Sequence, residues 1–361
     1  MVSDGDNKIR AEARRGRGAV SNDTGRFEPY QRVGVDDGWQ QEVPRTIQTH
    51  VAIENPRSVI TRNTSPDISF DRSINPYRGC EHGCIYCFAR PTHAYLGYSA
   101  GLDFETHLIA RPNAPRQLEQ ELSRRRYDVA PIAIGTNTDP YQPIEARYRI
   151  MRGVLEVLSR FRHPVTIVTK GTLIERDIDL LAELAQAGLT HVGVSVTTMD
   201  AALSRKMEPR VPSPKRRLQM IERLSAAGIP VRVMVAPVVP GLTDHELEAI
   251  LSAAKDAGAG AASYILLRLP GEVSELFQDW LTEQVPDRAA RVMGRMREMR
   301  GGDDYDSEFG SRMVGKGTFS DLLRCRFDIA RRRLDLSKDL QKLRCDLFSV
   351  PPKAGDQLSL F

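Results

Sequence analysis

Short apolar runs of five to eight residues recur along the middle of the chain, at 131–136, 165–169, 191–196, 231–236 and 262–269. A further segment, 68–74, alternates apolar and polar positions and runs into Asn75-Pro76-Tyr77-Arg78-Gly79. Between the runs lie stretches with helical spacing of apolar positions, at 149–161, 174–187, 215–227 and 244–257. Ala187-Gly188 and Ala227-Gly228 supply C-terminal stops, and Thr243 is placed to cap a helix start. Strands repeating at roughly 30 residues are βα units, and continuous apolar runs are what strands covered on both faces require. The pattern predicts an α/β fold with six such units, about three quarters of an eight-stranded barrel.

Outside this region the pattern changes. Beyond residue 270 the alternation stops and helical stretches follow at 274–282, 289–299 and 319–334, the second with Met293, Met296 and Met299 at the spacing of a packed face. We therefore expect a helical C-terminal extension over 271–350. The first 46 residues are polar and glycine-rich, without periodicity, and read as a flexible arm; 351–361 reads as a flexible tail after Pro351-Pro352.

Composition adds little constraint. Of 361 residues, 41% are apolar and 27% charged, the balance of an ordinary globular protein. No apolar run approaches the ~20 residues that cross a bilayer, so no membrane association is expected. Residues 1–18 are charged and lack the apolar core of a secretory signal, which points to the cytoplasm. A net charge of +4 permits an anionic partner without requiring one.

Three of the five cysteines fall within eight residues, Cys80-Glu-His-Gly-Cys84-Ile-Tyr-Cys87. A 4Fe–4S cluster takes one cysteine per iron, so three thiolates leave one iron open for chemistry. A zinc knuckle is the alternative. It needs a fourth ligand, for which only His82 and His93 are near, and neither gives a zinc-finger spacing. Cys325 and Cys345 lie in the helical region and read as buried apolar filler.

The string Cys-x3-Cys-x-Tyr-Cys, with Tyr86 directly before Cys87, resembles the signature of the radical S-adenosylmethionine (SAM) superfamily, in particular its spore photoproduct lyase-like (DNA repair photolyase-like) branch. The resemblance covers roughly residues 68–269. It implies a partial (βα)6 TIM-like barrel over 47–270, with Cys80, Cys84 and Cys87 as metal ligands of a 4Fe–4S cluster and SAM chelated to the open iron. Reductive cleavage of SAM would then give a 5′-deoxyadenosyl radical that abstracts hydrogen from substrate. An electron donor such as flavodoxin or ferredoxin is implied as well.

Barrel geometry gathers function at the C-terminal strand ends. The second strand ends in Thr136-Asn-Thr138-Asp139-Pro-Tyr, where the superfamily carries a Gly-Gly-Glu-like element for the SAM amino group; the departure is real, and Thr138 and Asp139 are the candidates. Lys170 closes the third strand and needs an anionic partner such as the SAM carboxylate. Ser195 and Thr197 end the fourth, with hydroxyls for ribose or carboxylate. Arg210, in Met207-Glu-Pro-Arg-Val, is a second carboxylate anchor that Glu208 would orient, and Pro237, Pro240 and Gly241 resemble the segment packed near adenine.

The chain ends in Gln357-Leu-Ser-Leu-Phe361, which resembles the pentapeptide by which bacterial DNA repair and replication proteins dock on the sliding clamp. Two function classes follow. One is a lyase-like radical SAM enzyme acting on damaged or modified DNA, or alternatively on RNA, a peptide or a small molecule. The other is a non-catalytic metal-binding scaffold that links the clamp to a partner. A hydrogen-atom donor is not identified; Cys325, Cys345, Tyr98 and Tyr264 are the candidates by type.

Overall fold

The computed structural model describes residues 8–9, 14–32 and 47–352. Strands β1 (His50–Ile53), β2 (Ile60–Arg62), β3 (Arg72–Ile74), β4 (Tyr77–Arg78) and β5 (His107–Ala110) come first. They are followed by β6 (Ile132–Ile134), β7 (Val165–Thr169), β8 (Thr190–Ser195), β9 (Val231–Val238) and β10 (Ala261–Leu266). The helices are α1 (Asp103–Thr106), α2 (Ala114–Leu122), α3 (Glu145–Tyr148), α4 (Ile150–Arg160), α5 (Ile178–Gln186), α6 (Ala201–Met207), α7 (Pro214–Ala226) and α8 (Leu247–Asp256). The C-terminal extension adds α9 (Val273–Gln284), α10 (Pro286–Glu298) and α11 (Thr318–Arg333).

The six expected parallel strands form one sheet in the order β10-β9-β8-β7-β6-β3, and β2 adds antiparallel at the β3 edge. This is the partial barrel. Its strands are short where the chain must turn quickly toward the site: β3 and β6 are three residues each and wholly buried. Helices α4, α5, α7 and α8 cover the sheet with apolar faces, and Gly188 and Gly228 stop α5 and α7 in left-handed geometry as expected. Thr243 stands at the N-cap position of a short 3-10 turn, Asp244–Glu246, that leads into α8, but its side chain makes no capping bond. Its hydroxyl instead accepts from the Val239 N–H at 2.9 Å, and no side chain caps α8.

A second, three-stranded sheet, β1-β5-β4, was not foreseen. It hands the chain from β3 through β4 into the cysteine loop. The β10 edge of the large sheet is not left open. Ser337 bridges to Ala261 beside β10, which covers that edge. The loop 303–317 then runs from β10, where Leu266 N–H donates to Met313 at 3.0 Å, to the β2–β3 connection. There Gly310 N–H reaches Asp67 at 2.7 Å, Arg312 pairs with Asp67, and Arg312 also donates to Ser65 at 2.7 Å.

Two expectations need correction. Part of the expected flexible arm is packed, since residues 17–21 are buried against the cysteine loop. Cys325 is exposed and Cys345 half-buried, so neither is core filler; the apolar seams of their region are filled by Met293, Met296, Met299, Leu323 and Phe327. Residues 33–46 and the pentapeptide 357–361 lie outside the described residues.

Candidate functional site

The cysteine loop is framed by three buried side chains, Arg90, Glu105 and Gln142. Arg90 is fully buried, and all five of its N–H groups are used. Nε donates to Cys84 O (3.0 Å), Nη1 to Ala100 O and Gly101 O (3.1 and 2.9 Å), and Nη2 to Gly83 O and Glu105 Oε1 (3.2 and 2.5 Å). Glu105, equally buried, also accepts from the Gly18 and Ala19 N–H groups at 2.9 and 2.8 Å. Gln142 clamps the start of the loop, donating to Gly79 O and accepting from Glu81 N–H. Backbone approach is close enough to demand glycine. A Cβ at Gly18 would lie 1.9 Å from Gly83 O, and one at Gly83, where φ is +67°, would meet the Glu105 carboxylate at 2.7 Å.

The three thiols are enclosed by this frame. Burial pushes all three above the ordinary cysteine range. Asp139 adds to this at Cys80 and Glu208 at Cys84, while Lys170 and Arg90 act in the opposite sense on Cys84 and Cys87. Thiols so placed ionise when a cation is there to hold the thiolates. Among the described residues no three His, Cys, Asp or Glu side chains converge on a single-ion site. A cluster asks for something else, one thiolate per iron on separated atoms, and three thiols on one rigid loop fit that demand.

The strand ends bring three of the six expected SAM residues together, Asp139, Lys170 and Ser195. Asp139 accepts from Thr169 Oγ1 (2.6 Å), Lys170 N–H (2.7 Å) and Tyr141 N–H (2.9 Å), with His82 Nδ1 at 3.4 Å. Burial raises its carboxyl, but His82 and these hydrogen bonds win and hold it down at about 2. Lys170 Nζ donates to Ser195 Oγ at 2.8 Å and lies 5.9 Å from the Tyr86 ring centre. Ser195 passes its own proton to Ala236 O at 2.8 Å. An ammonium has three donors, and a single hydrogen bond is formed here among the described residues.

Thr197 joins a different, fully buried network. Its hydroxyl donates to Glu208 Oε1 at 2.8 Å; Tyr86 OH also donates to that carboxylate, and Arg217 closes the pair at 2.6 Å. Burial raises Glu208, yet Arg217 and Lys170 bring it down to about 2. The tyrosine of the cysteine motif is thereby locked to the end of β8.

Two candidates are placed otherwise. Thr138 donates to Tyr77 O at 2.8 Å, tying the β6 end to β4. Arg210 sits on the rim and pairs with Glu81, not with Glu208, because the stronger claim on Glu208 comes from buried Arg217. Sequence reasoning missed Arg90, Glu105 and Gln142, and weighed His82 only as a zinc ligand. Arg90 and His82 flank the cysteines, and a charged residue so close to a buried motif was the available signal.

Residues 74–254, half of the chain, match the family model of the Radical SAM superfamily, and the chain belongs to that superfamily. An uncharacterized protein of Mycobacterium tuberculosis is 42% identical over 226 residues, which covers 62% of this chain and 66% of that protein, just under two thirds of its length. A radical SAM Nα-GlyT isomerase of Pseudomonas phage M6 is 28% identical over 173 residues, 47% of this chain and 34% of the phage protein. Among solved structures, a spore photoproduct lyase variant with bound AdoMet and dinucleoside spore photoproduct shares the fold, with a TM-score of 0.57 at 14% identity over 80% of each chain.

Proposed function

We propose that this chain is a radical SAM enzyme of lyase-like type whose substrate is damaged or modified DNA. Cys80, Cys84 and Cys87 would hold a 4Fe–4S cluster, and Asp139, Lys170 and Ser195 would receive the amino and carboxylate ends of SAM. When bound and reduced by a flavodoxin- or ferredoxin-type donor, the cluster and SAM supply a 5′-deoxyadenosyl radical for hydrogen abstraction. The observation that carries this reading is Lys170. Its ammonium lies near Cys84 and Cys87 with donors to spare, and its backbone N–H holds Asp139, a carboxylate kept ionised at the adjacent strand end. A cationic and an anionic group at adjacent strand ends suit the two charges of an amino acid. Tyr86, Glu208 and Arg217 keep the cysteine loop in register with that pair, and Arg90 with Glu105 keeps water from its backbone. The DNA assignment is supported by the dinucleoside spore photoproduct bound in the fold neighbour and by the tail pentapeptide.

A cytoplasmic location would keep the thiolate ligands reduced, and among the described residues no helix is long and apolar enough to cross a membrane. We further propose that Gln357–Phe361 docks on a sliding clamp. Anaerobic reconstitution followed by dithionite reduction tests the enzyme reading. 5′-Deoxyadenosine should form from SAM with the native chain and not with Cys84→Ala. Iron and sulfide without any SAM cleavage would favour the scaffold reading instead.

A further inference from the structure

Residues 14–32 form a strap whose chemistry the radical site does not use. The strap carries Arg14, Arg15, Arg17, Arg26 and Arg32 against Asp23 and Glu28, a net charge of +3. It runs antiparallel to α9. Arg14 pairs with Glu283 near the end of that helix, and Arg26 pairs with Glu272 at 2.6 Å, just before its start. The two anchors are therefore separated by about the length of a 12-residue helix, ~18 Å.

Each end presents a different surface. Near Arg14 the strap and α6 enclose a cleft lined by Arg15, Arg17, Arg205, Lys206 and Trp280. Arg15 and Arg205 are exposed and have no partner among the described residues, and Arg17 holds a buried Nε that donates to nothing described. Near Arg26 the rings of Phe27 and Tyr95 stack at 5.3 Å while remaining 57% and 71% exposed, with Arg26 5.8 Å from the Phe27 ring centre. Tyr30 beside them is 83% exposed. Large rings kept in water are not core, and a guanidinium over a ring is a surface on which a planar base stacks.

We propose that the strap is a single-stranded DNA binding surface, with phosphates in the Arg15–Arg205 cleft and bases on the Phe27–Tyr95 pair. Basic groove and stacking rings together are the two components such sites combine. The ~18 Å between the anchors beside them leaves room for a strand of several nucleotides. Only unpaired bases expose their faces to rings, so the surface selects single strands over duplex. Gly18 of the same strap lies on Gly83, so the strap itself borders the cysteine loop. The inference rests on the DNA reading above and adds to it where the strand lies and in what form.

The test is fluorescence anisotropy of a labelled single-stranded DNA 12-mer on the reconstituted full chain, across a salt series. Arg15→Gln with Arg205→Gln should weaken binding about tenfold and reduce the salt slope by about 1.4, at ~0.7 per phosphate contact. Phe27→Ala with Tyr95→Ala should weaken binding about tenfold or more while leaving the salt slope unchanged. If Tyr95→Ala lowers the melting temperature, Tyr95→Leu keeps the volume and still removes the stacked face. Native-level binding by both double variants, or tighter binding of duplex DNA, would overturn this surface while leaving the DNA reading standing; tighter binding of a single-stranded RNA 12-mer would overturn both. Failure of the native chain to bind any DNA would remove both.

Discussion

Replacing Arg90 by leucine tests the frame around the cysteines most directly. The guanidinium lies in a fully buried site, donates five hydrogen bonds and lies 5.2 Å from the Phe104 ring centre. Leucine fills part of the volume and restores none of the bonds. Four backbone carbonyls then lose a donor, and among the described residues Glu105 keeps the Gly18 and Ala19 N–H groups as hydrogen-bond partners for a buried charge. Breaking a buried ion pair on one side costs about 3–5 kcal/mol. That is a large share of a total stability of about 5–15 kcal/mol. Urea unfolding of the reconstituted protein, followed by tryptophan fluorescence, should show a midpoint lowered to match. Trp280 is buried and donates to Lys206 O at 3.1 Å, so it reports on the neighbouring helix pair. The double variant Arg90→Leu/Glu105→Gln should recover a part of the loss, since the stranded charge is gone. A loss below about 1 kcal/mol for Arg90→Leu, or strict additivity of the two substitutions, would refute the coupling argued here.

Other outcomes follow from the same geometry. Lys170→Met should leave iron and sulfide content unchanged and weaken SAM binding about 10- to 100-fold by calorimetry, the range of one charge-assisted hydrogen bond. Gly18→Ala should expose the strap to limited proteolysis near residue 15, since the new Cβ cannot coexist with Gly83 O at 1.9 Å; an unchanged digestion pattern would contradict the packing. His163 is fully buried, donates Nδ1–H to Pro164 O and accepts from Tyr127, and burial lowers its pKa from 6.5 to about 4. Its folded pKa lies below the unfolded one, so its contribution is complete above pH 6.5 and fades as pH falls toward 4. The loss should be about 3 kcal/mol, read as a slope in urea midpoint against pH that His163→Gln flattens.

How much of this was written in the sequence depends on the range over which each signal acts. Parallel strands read clearly because burial on both faces forces unbroken apolar runs, and the observed β7 coincides with 165–169. The cysteine triplet read clearly because its chemistry is local. Arg210 misled because Glu208 lies only two residues away, whereas Arg217 is brought to that carboxylate by the turn between α6 and α7. The strap was illegible for a related reason. Glycine and arginine mark a loose chain unless a partner is known, and Glu105 is 87 residues from Gly18. Short β1, β4 and β5 carry no pattern of their own; pairing makes them strands.

The loop that joins Arg312 to Asp67 has a consequence for how such a molecule changes over generations. A closed ring of strands fixes its bore by strand number and stagger, so widening it means rebuilding every neighbour at once. Here the circumference is unfinished, and one ionic clasp between a surface loop and the opposite margin spans the gap. Lengthening or shortening that clasp resizes the vestibule while each strand keeps its partner, which makes accommodation of bulkier molecules a matter of loop substitution alone.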